Sequence, residues 1–160
     1  MKALRHLHNR SLGIALLALA IMLSSACGNK LIRGASPMVR MTELIHEDNT
    51  ISLQISIRNL NGVDLDVLGA ELTLLVDDGE LFSYRGPVNI NIVANGTESW
   101  SVDGDESENS RRLLDELEKG EVKSLPYSLK GSVTSREDGL LRFEHEGHIY
   151  PLPGRPGHFR

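Results

Sequence analysis

The sequence predicts an all-β fold, an antiparallel β-sandwich with one short helix between its late strands. Three observations carry this expectation. Apolar and polar residues alternate with period two in run after run. Turn-forming residues recur roughly every 8–12 positions, the spacing of short sandwich strands. One late segment carries leucines at helical spacing instead.

Residues 38–45 read as a first strand, ending at the polar turn His46-Glu47-Asp48-Asn49. Ile51, Leu53, Ile55 and Ile57 then alternate strictly with Ser52, Gln54, Ser56 and Arg58, the pattern of a half-buried strand. The next run changes phase. Val63, Leu65 and Val67 share one parity; Leu68, Ala70, Leu72, Leu74 and Val76 share the other. A one-residue slip flips every side chain to the opposite face, so a β-bulge is expected near Val67-Leu68-Gly69. Asp77-Asp78-Gly79 turns the chain. Phe82 and Tyr84 mark a short strand, and Val88, Ile90, Ile92 and Ala94 mark another. Asn95-Gly96 is the strongest hairpin signal, leading into residues 97–102 with Trp100 and Val102 inward. Asn95-Gly96-Thr97 also fits a glycosylation sequon, but a tight turn explains it more simply.

The helix is expected to start at a capping box over residues 105–108. Leu113, Leu114 and Leu117 form its apolar stripe, Gly120 its stop, and the surrounding charges a solvated face. Leu125, Tyr127, Leu129, Gly131 and Val133 then alternate with polar residues, and Pro126 implies an edge or a bulge. Asp138-Gly139 turns into Leu141 and Phe143, and Glu146-Gly147 is expected to turn again into residues 148–152. Residues 154–160, rich in proline and glycine, read as a flexible tail.

Ahead of these strands lies an export signal. Residues 1–10 are basic, and residues 11–23 are apolar. An apolar stretch of this length is short of the roughly 20 residues that a spanning helix needs. Ser24, Ser25, Ala26 and Cys27 follow. This resembles the bacterial lipobox, with cleavage after Ala26 and lipidation of Cys27, although Leu23 sits one place earlier than the usual leucine. Ordinary secretion with a free cysteine near the new terminus is the alternative. Gly28, rather than aspartate, favours the outer membrane over inner-membrane retention. The expected organisation is signal peptide 1–26, lipidated tether 27–36, sandwich 37–153 and tail 154–160.

Of 17 basic residues, Lys2, Arg5 and Arg10 precede Cys27, leaving 14 against 22 acidic ones, a net charge of −8. Such a domain repels phosphate backbones, so nucleic acid is an unsuitable partner. Cys27 is the single cysteine, so the chain forms no internal disulfide.

Chemistry-bearing clusters are sparse. Glu144-His145-Glu146-Gly147-His148 is dense in ligand-type residues. Its histidines are three apart across an expected glycine-containing turn, and in a strand they would face opposite ways; with His158 they offer at most a weak metal site. Asp64, Asp66 and the acidic run 103–108 suit turns and solubility, with loose calcium binding as the sharper alternative. Asn59 and Asn61 suit backbone groups at a turn. No catalytic residue, resident metal or cofactor is expected, and the chain reads as a non-enzyme.

The order of these signatures, from about Pro37 to Pro153, resembles the type 2 late-embryogenesis-abundant (LEA) domain, also called the water stress and hypersensitive response domain. Asn59-Leu60-Asn61 stands where the family has Asn-Pro-Asn after an alternating strand. The strand over residues 68–76 follows, then Ala94-Asn95-Gly96-Thr97, the strand over 100–102 and a helix. Pro126-Tyr127-Ser128-Leu129-Lys130-Gly131 matches the family's Pro-Tyr-x-Leu-x-Gly segment, and residues 147–152 form a closing strand. The resemblance implies an immunoglobulin-like or fibronectin-III-like sandwich without an active site. It also implies a role in desiccation or related stress, with lipid or membrane association. The expected partners are the membrane through Cys27, and an envelope protein or lipid acyl chain.

Overall fold

The computed structural model describes residues 32–77 and 79–160. Among these described residues eight strands and one helix follow in order: β1 (Met38–Glu47), β2 (Thr50–Arg58), β3 (Leu65–Val76), β4 (Gly79–Ile92), β5 (Thr97–Asp105), α1 (Glu108–Glu118), β6 (Leu125–Ser135), β7 (Gly139–Ile149) and β8 (His158–Phe159). They form two four-stranded antiparallel sheets, β5-β2-β1-β8 and β4-β3-β6-β7, packed as a sandwich.

The period-two pattern places the core. Ile51, Leu53, Ile55 and Ile57 of β2 are all fully buried, as their alternation predicts. Leu65, Leu72 and Leu74 of β3 and Leu129 and Val133 of β6 form the facing layer. Each such side chain contributes about 1.5–3 kcal/mol by leaving water. The expected bulge is present: β3 shifts register between Val67 and Gly69 against both β4 and β6. β1 and β2 meet in a two-residue turn, with Asp48 and Asn49 at φ 50° and 63°. That pair of left-handed residues is what a type I′ hairpin requires.

Several expectations are corrected. The two short strands around Tyr84 and Ile90 are one strand, β4, on a sheet edge where Pro87 disturbs no neighbour on its open side. Asn95-Gly96 does not close a hairpin; β4 pairs with β3 while β5 pairs with β2, so the chain here crosses between sheets. Its turn is local, with Asn95 at φ 58° and the Gly96 N–H donating to the Val93 carbonyl at 2.8 Å. Pro126 lies on an interior strand, one residue beyond the last β3 partner, Tyr127, and opposite His148 of β7. Glu146-Gly147 is no turn, because β7 runs straight through it with Gly147 opposite Tyr127. A Cβ at Gly147 would sit 2.7 Å from the Tyr127 ring, so the glycine there makes room for an aromatic neighbour.

The helix also starts later than predicted. Ser107 is its N-cap, with Ser110 closing the capping box in both directions at 3.0 and 2.7 Å. Leu113, Leu114 and Leu117 face the core as expected, and Gly120 ends the helix at φ 74°.

The expected tail is part of the fold. Residues 158–159 form β8 against Leu44 and Ile45 of β1, and Phe159 is fully buried. Tyr150 and Arg160 exchange two backbone hydrogen bonds at 2.8 and 2.9 Å. The prolines and glycines of 153–157 turn the chain so that Phe159 reaches the core. Phe159→Ala is therefore expected to destabilise the domain by about 3–5 kcal/mol, the cost of emptying a buried aromatic site. Urea unfolding of the variant beside the parent checks this, and an unchanged midpoint would return these residues to the status of a tail.

Candidate functional site at the asparagine-clamped end

Four segments meet at one end of the sandwich: residues 32–37, the β2–β3 crossing 59–64, the β4–β5 crossing 93–96 and the β6–β7 turn 136–138. Crossings leave the sheet ladders, and their buried backbone groups need other partners. Asn59 and Asn61 supply them, and both are fully buried.

The Asn59 side-chain amide donates to the carbonyls of Val63 at 2.8 Å, Ile92 at 3.1 Å and Val93 at 3.2 Å. Three carbonyl acceptors fix which end of that amide is the nitrogen. Its oxygen accepts from the Asn61 N–H at 2.9 Å. The Asn61 side chain makes a two-way pair with the Ala35 backbone, accepting from its N–H at 2.9 Å and donating to its carbonyl at 3.1 Å. Main-chain bonds reinforce the junction: Asn59 N–H to Gly96 O, Asn95 N–H to Asn61 O, and Gly62 N–H to Ile32 O. Residues 32–36, the second half of the expected tether, are thus fastened to the domain. Leu60, between the two asparagines, is left 39 % exposed.

Four of the acidic candidates, Asp64, Asp66, Asp103 and Glu106, are already engaged. Asp64 accepts from the Ala94 N–H at 3.0 Å, and Asp66 accepts from Asn91 at 2.5 Å and Arg136 at 3.2 Å. Both brace the same end. At the opposite end, Asp103 accepts from the Ser52 hydroxyl at 2.5 Å. The Glu106 carboxylate, whose side chain is 2 % exposed, sits between His46 and the Arg111 guanidinium. Arg111 also reaches Asn49 at 3.3 Å, and the Glu106 N–H donates to the Asn49 carbonyl at 3.1 Å. This network ties the helix start to the β1–β2 turn. The hydrogen bond with His46 leads in holding the Glu106 carboxyl below its ordinary range, with Arg111 helping and desolvation opposing. A carboxylate so held is a weak base. In the sequence residues 103–108 read only as an acidic run, with no sign that one member has a histidine and an arginine as partners.

The histidines are not brought together. His145 packs beside the Tyr127 ring, centroids 6.2 Å apart, on the inner side of β7. His148 is on the outer side, where it borders an open depression of about 530 Å³ together with Ser128 and Glu146. His158 lies in the other sheet, its Nδ1 2.8 Å from Glu43. Among the described residues no group of three His, Cys, Asp or Glu side chains is placed to hold a metal ion. Cys27 and Ala26 lie outside the described residues. Among the described residues no helix is long and apolar enough to cross a membrane.

Exposed apolar surface is uneven. Ile32, Met38, Leu60, Leu68, Val93 and Leu140 are exposed at or near the asparagine-clamped end, against Tyr150 at the other. Sequence alternation could not find this set, because its members lie in crossings, at strand ends and at a bulge.

Two outcomes test these networks. Asn59→Ala takes a donor from the Val63 and Ile92 carbonyls and an acceptor from the Asn61 N–H, while the Val93 carbonyl keeps the Gly96 N–H, and is expected to cost about 3 kcal/mol, given ~1–3 kcal/mol per buried unsatisfied group. Urea unfolding measures it, with hydrogen exchange expected to accelerate first in residues 59–64 and 93–96. For Glu106, a folded pKa below the unfolded value of about 4.3 means a contribution complete above that pH. It is lost as pH falls through the folded pKa. The parent should therefore lose more stability on acidification below about pH 4 than Glu106→Gln does; parallel pH profiles would remove Glu106 from the account.

No protein-family model and no curated protein sequence matches the chain. Solved structures do. AT1g01470 from Arabidopsis thaliana superposes with a TM-score of 0.56 at 13% identity, over 82% of this chain and 93% of its own. A late embryogenesis abundant protein, At2g46140.1, gives 0.49 at 15% identity over 94% and 89%. A protein from Archaeoglobus fulgidus gives 0.45 at 13% over 77% and 98%. At such identities the likeness is one of fold. The sandwich described here shares the fold of AT1g01470, which supports the type 2 late-embryogenesis-abundant fold that the sequence resembles.

Proposed function

We propose that this chain is a non-enzymatic lipoprotein of a bacterial envelope whose LEA type 2-like sandwich serves tolerance of desiccation or related water stress. Residues 1–26 direct export, cleavage follows Ala26, and Cys27 carries the lipid. The observation that carries the reading is the lipobox-like run Ser24-Ser25-Ala26-Cys27, placed directly before a domain with this fold. One acyl chain holds a protein only marginally, while two or three hold it stably. The anchor would keep a hydrated, acidic domain at high local concentration beside a bilayer, on the periplasmic face of the outer membrane. Protection then comes from occupying that layer, and needs no bond-making group.

A second reading is a binding module for an envelope protein or a lipid acyl chain. The exposed apolar side chains gathered at one end favour it, because a purely hydrating surface has no need of them.

Intact mass of the membrane-extracted protein tests the anchor. The expected result is a chain beginning at Cys27 with a diacylglyceryl addition, and a Cys27→Ser protein recovered in the soluble fraction. An unmodified chain in the soluble fraction would overturn the lipoprotein reading. Survival of drying by cells lacking the protein tests the stress role; survival equal to the parent's would remove it.

A further inference from the structure

The asparagine-clamped end presents exposed apolar side chains. Ile32 and Val93 are each 58 % exposed and Leu60 is 39 % exposed, and they come from three different segments. Hydrogen bonds lock those segments together: Gly62 holds the Ile32 carbonyl, and the Asn59 amide holds the Val93 carbonyl. The three side chains therefore share one rigid end. Large apolar side chains there gain nothing from water, and a scatter of single residues would not concentrate at one end.

The covalent chain says what this end meets. Ile32 follows Cys27 by five residues, a distance of at most about 17 Å at full extension. The 12 residues of β3 alone span roughly 40 Å. A leash less than half the length of the sandwich, leaving from Ile32, keeps this end nearest the acyl chains. Charge agrees. Residues 103–121, which run from the far end of β5 through the helix, carry eight carboxylates against three cations. Anionic headgroups repel that end and leave the apolar one to face them.

We propose that Ile32, Leu60 and Val93 form a membrane-seating tip, which enters the headgroup–acyl boundary of the bilayer that holds Cys27. This rests on the lipid anchor described above. The anchor supplies attachment; the tip supplies orientation. With the tip seated, the sandwich stands upright and the helix and its acidic surroundings point away from the membrane.

Tryptophan quenching tests this on the full-length acylated protein. It is reconstituted in phosphatidylethanolamine–phosphatidylglycerol vesicles with or without brominated acyl chains. Val93→Trp and Leu60→Trp place the probe in the tip, and Tyr150→Trp places it at the far end. Trp100 is common to all three. All three positions are exposed, so the substitutions leave the core intact, and intact mass confirms acylation of each sample. The expected result is loss of fluorescence and a blue shift for both tip variants in brominated vesicles, with no added loss for Tyr150→Trp. Acylated protein whose tip variants are quenched no more than Tyr150→Trp would overturn the tip and leave the anchor standing. A chain without acyl groups would overturn the anchor, and the tip with it. A blue shift that grows with protein density and ignores bromination would assign the tip to a second copy of the chain and overturn the membrane seat.

Discussion

The fold turns on two asparagine side chains. A sandwich must pass its chain from one sheet to the other, and each passage strips backbone groups of ladder partners just where they are buried. Asn59 and Asn61 resolve two passages and the chain entry at once. One amide gathers carbonyls from both crossings, and the other pairs with the backbone of Ala35. Only a side chain with both a donor and an acceptor, and short enough to stay rigid, can do this. Leu60 between them has neither capacity and turns outward, so one device produces both the buried junction and an exposed apolar residue.

The two ends are held by different physics. Neutral amides, with Asp64 and Asp66 bracing from the side, close the end where the chain enters. Opposite charges close the other, where Glu106 joins the β1–β2 turn to the start of the helix. The amide bonds at the first junction carry no titrating group, while the second depends on an ionised Glu106 between His46 and Arg111.

Much of the fold was legible because burial writes itself into local pattern. The alternation of β2, the parity change at Val67–Gly69 and the leucine stripe of the helix all survive into the structure. What failed was non-local. Asn95-Gly96 has the composition of a hairpin, but composition cannot say which strand the next one pairs with. Glu146-Gly147 has the composition of a turn, yet the glycine answers to Tyr127 on the neighbouring strand. Proline and glycine in the last eight residues signal a broken ladder, which is equally what a chain needs to reach β1. The helix cap moved because Ser107 and Ser110 satisfy each other directly, while Glu106 is held by His46 and Arg111. At the candidate site, Asn59 and Asn61 were read as turn residues from their types alone; that they bind two crossings and the entering chain could not be read without the fold.

β8 has a consequence for how the molecule is made. Glu43 on the first strand and His158 on the last are 115 positions apart, and the edge of β1 beside Leu44 is covered only when Phe159 arrives. A chain made from its N-terminus therefore holds an incomplete sheet until residues 158–159 are in place. Contacts so distant in sequence form late and slowly. β8 is the last of the described strands to be made, so a partly made chain keeps an open seam beside β1.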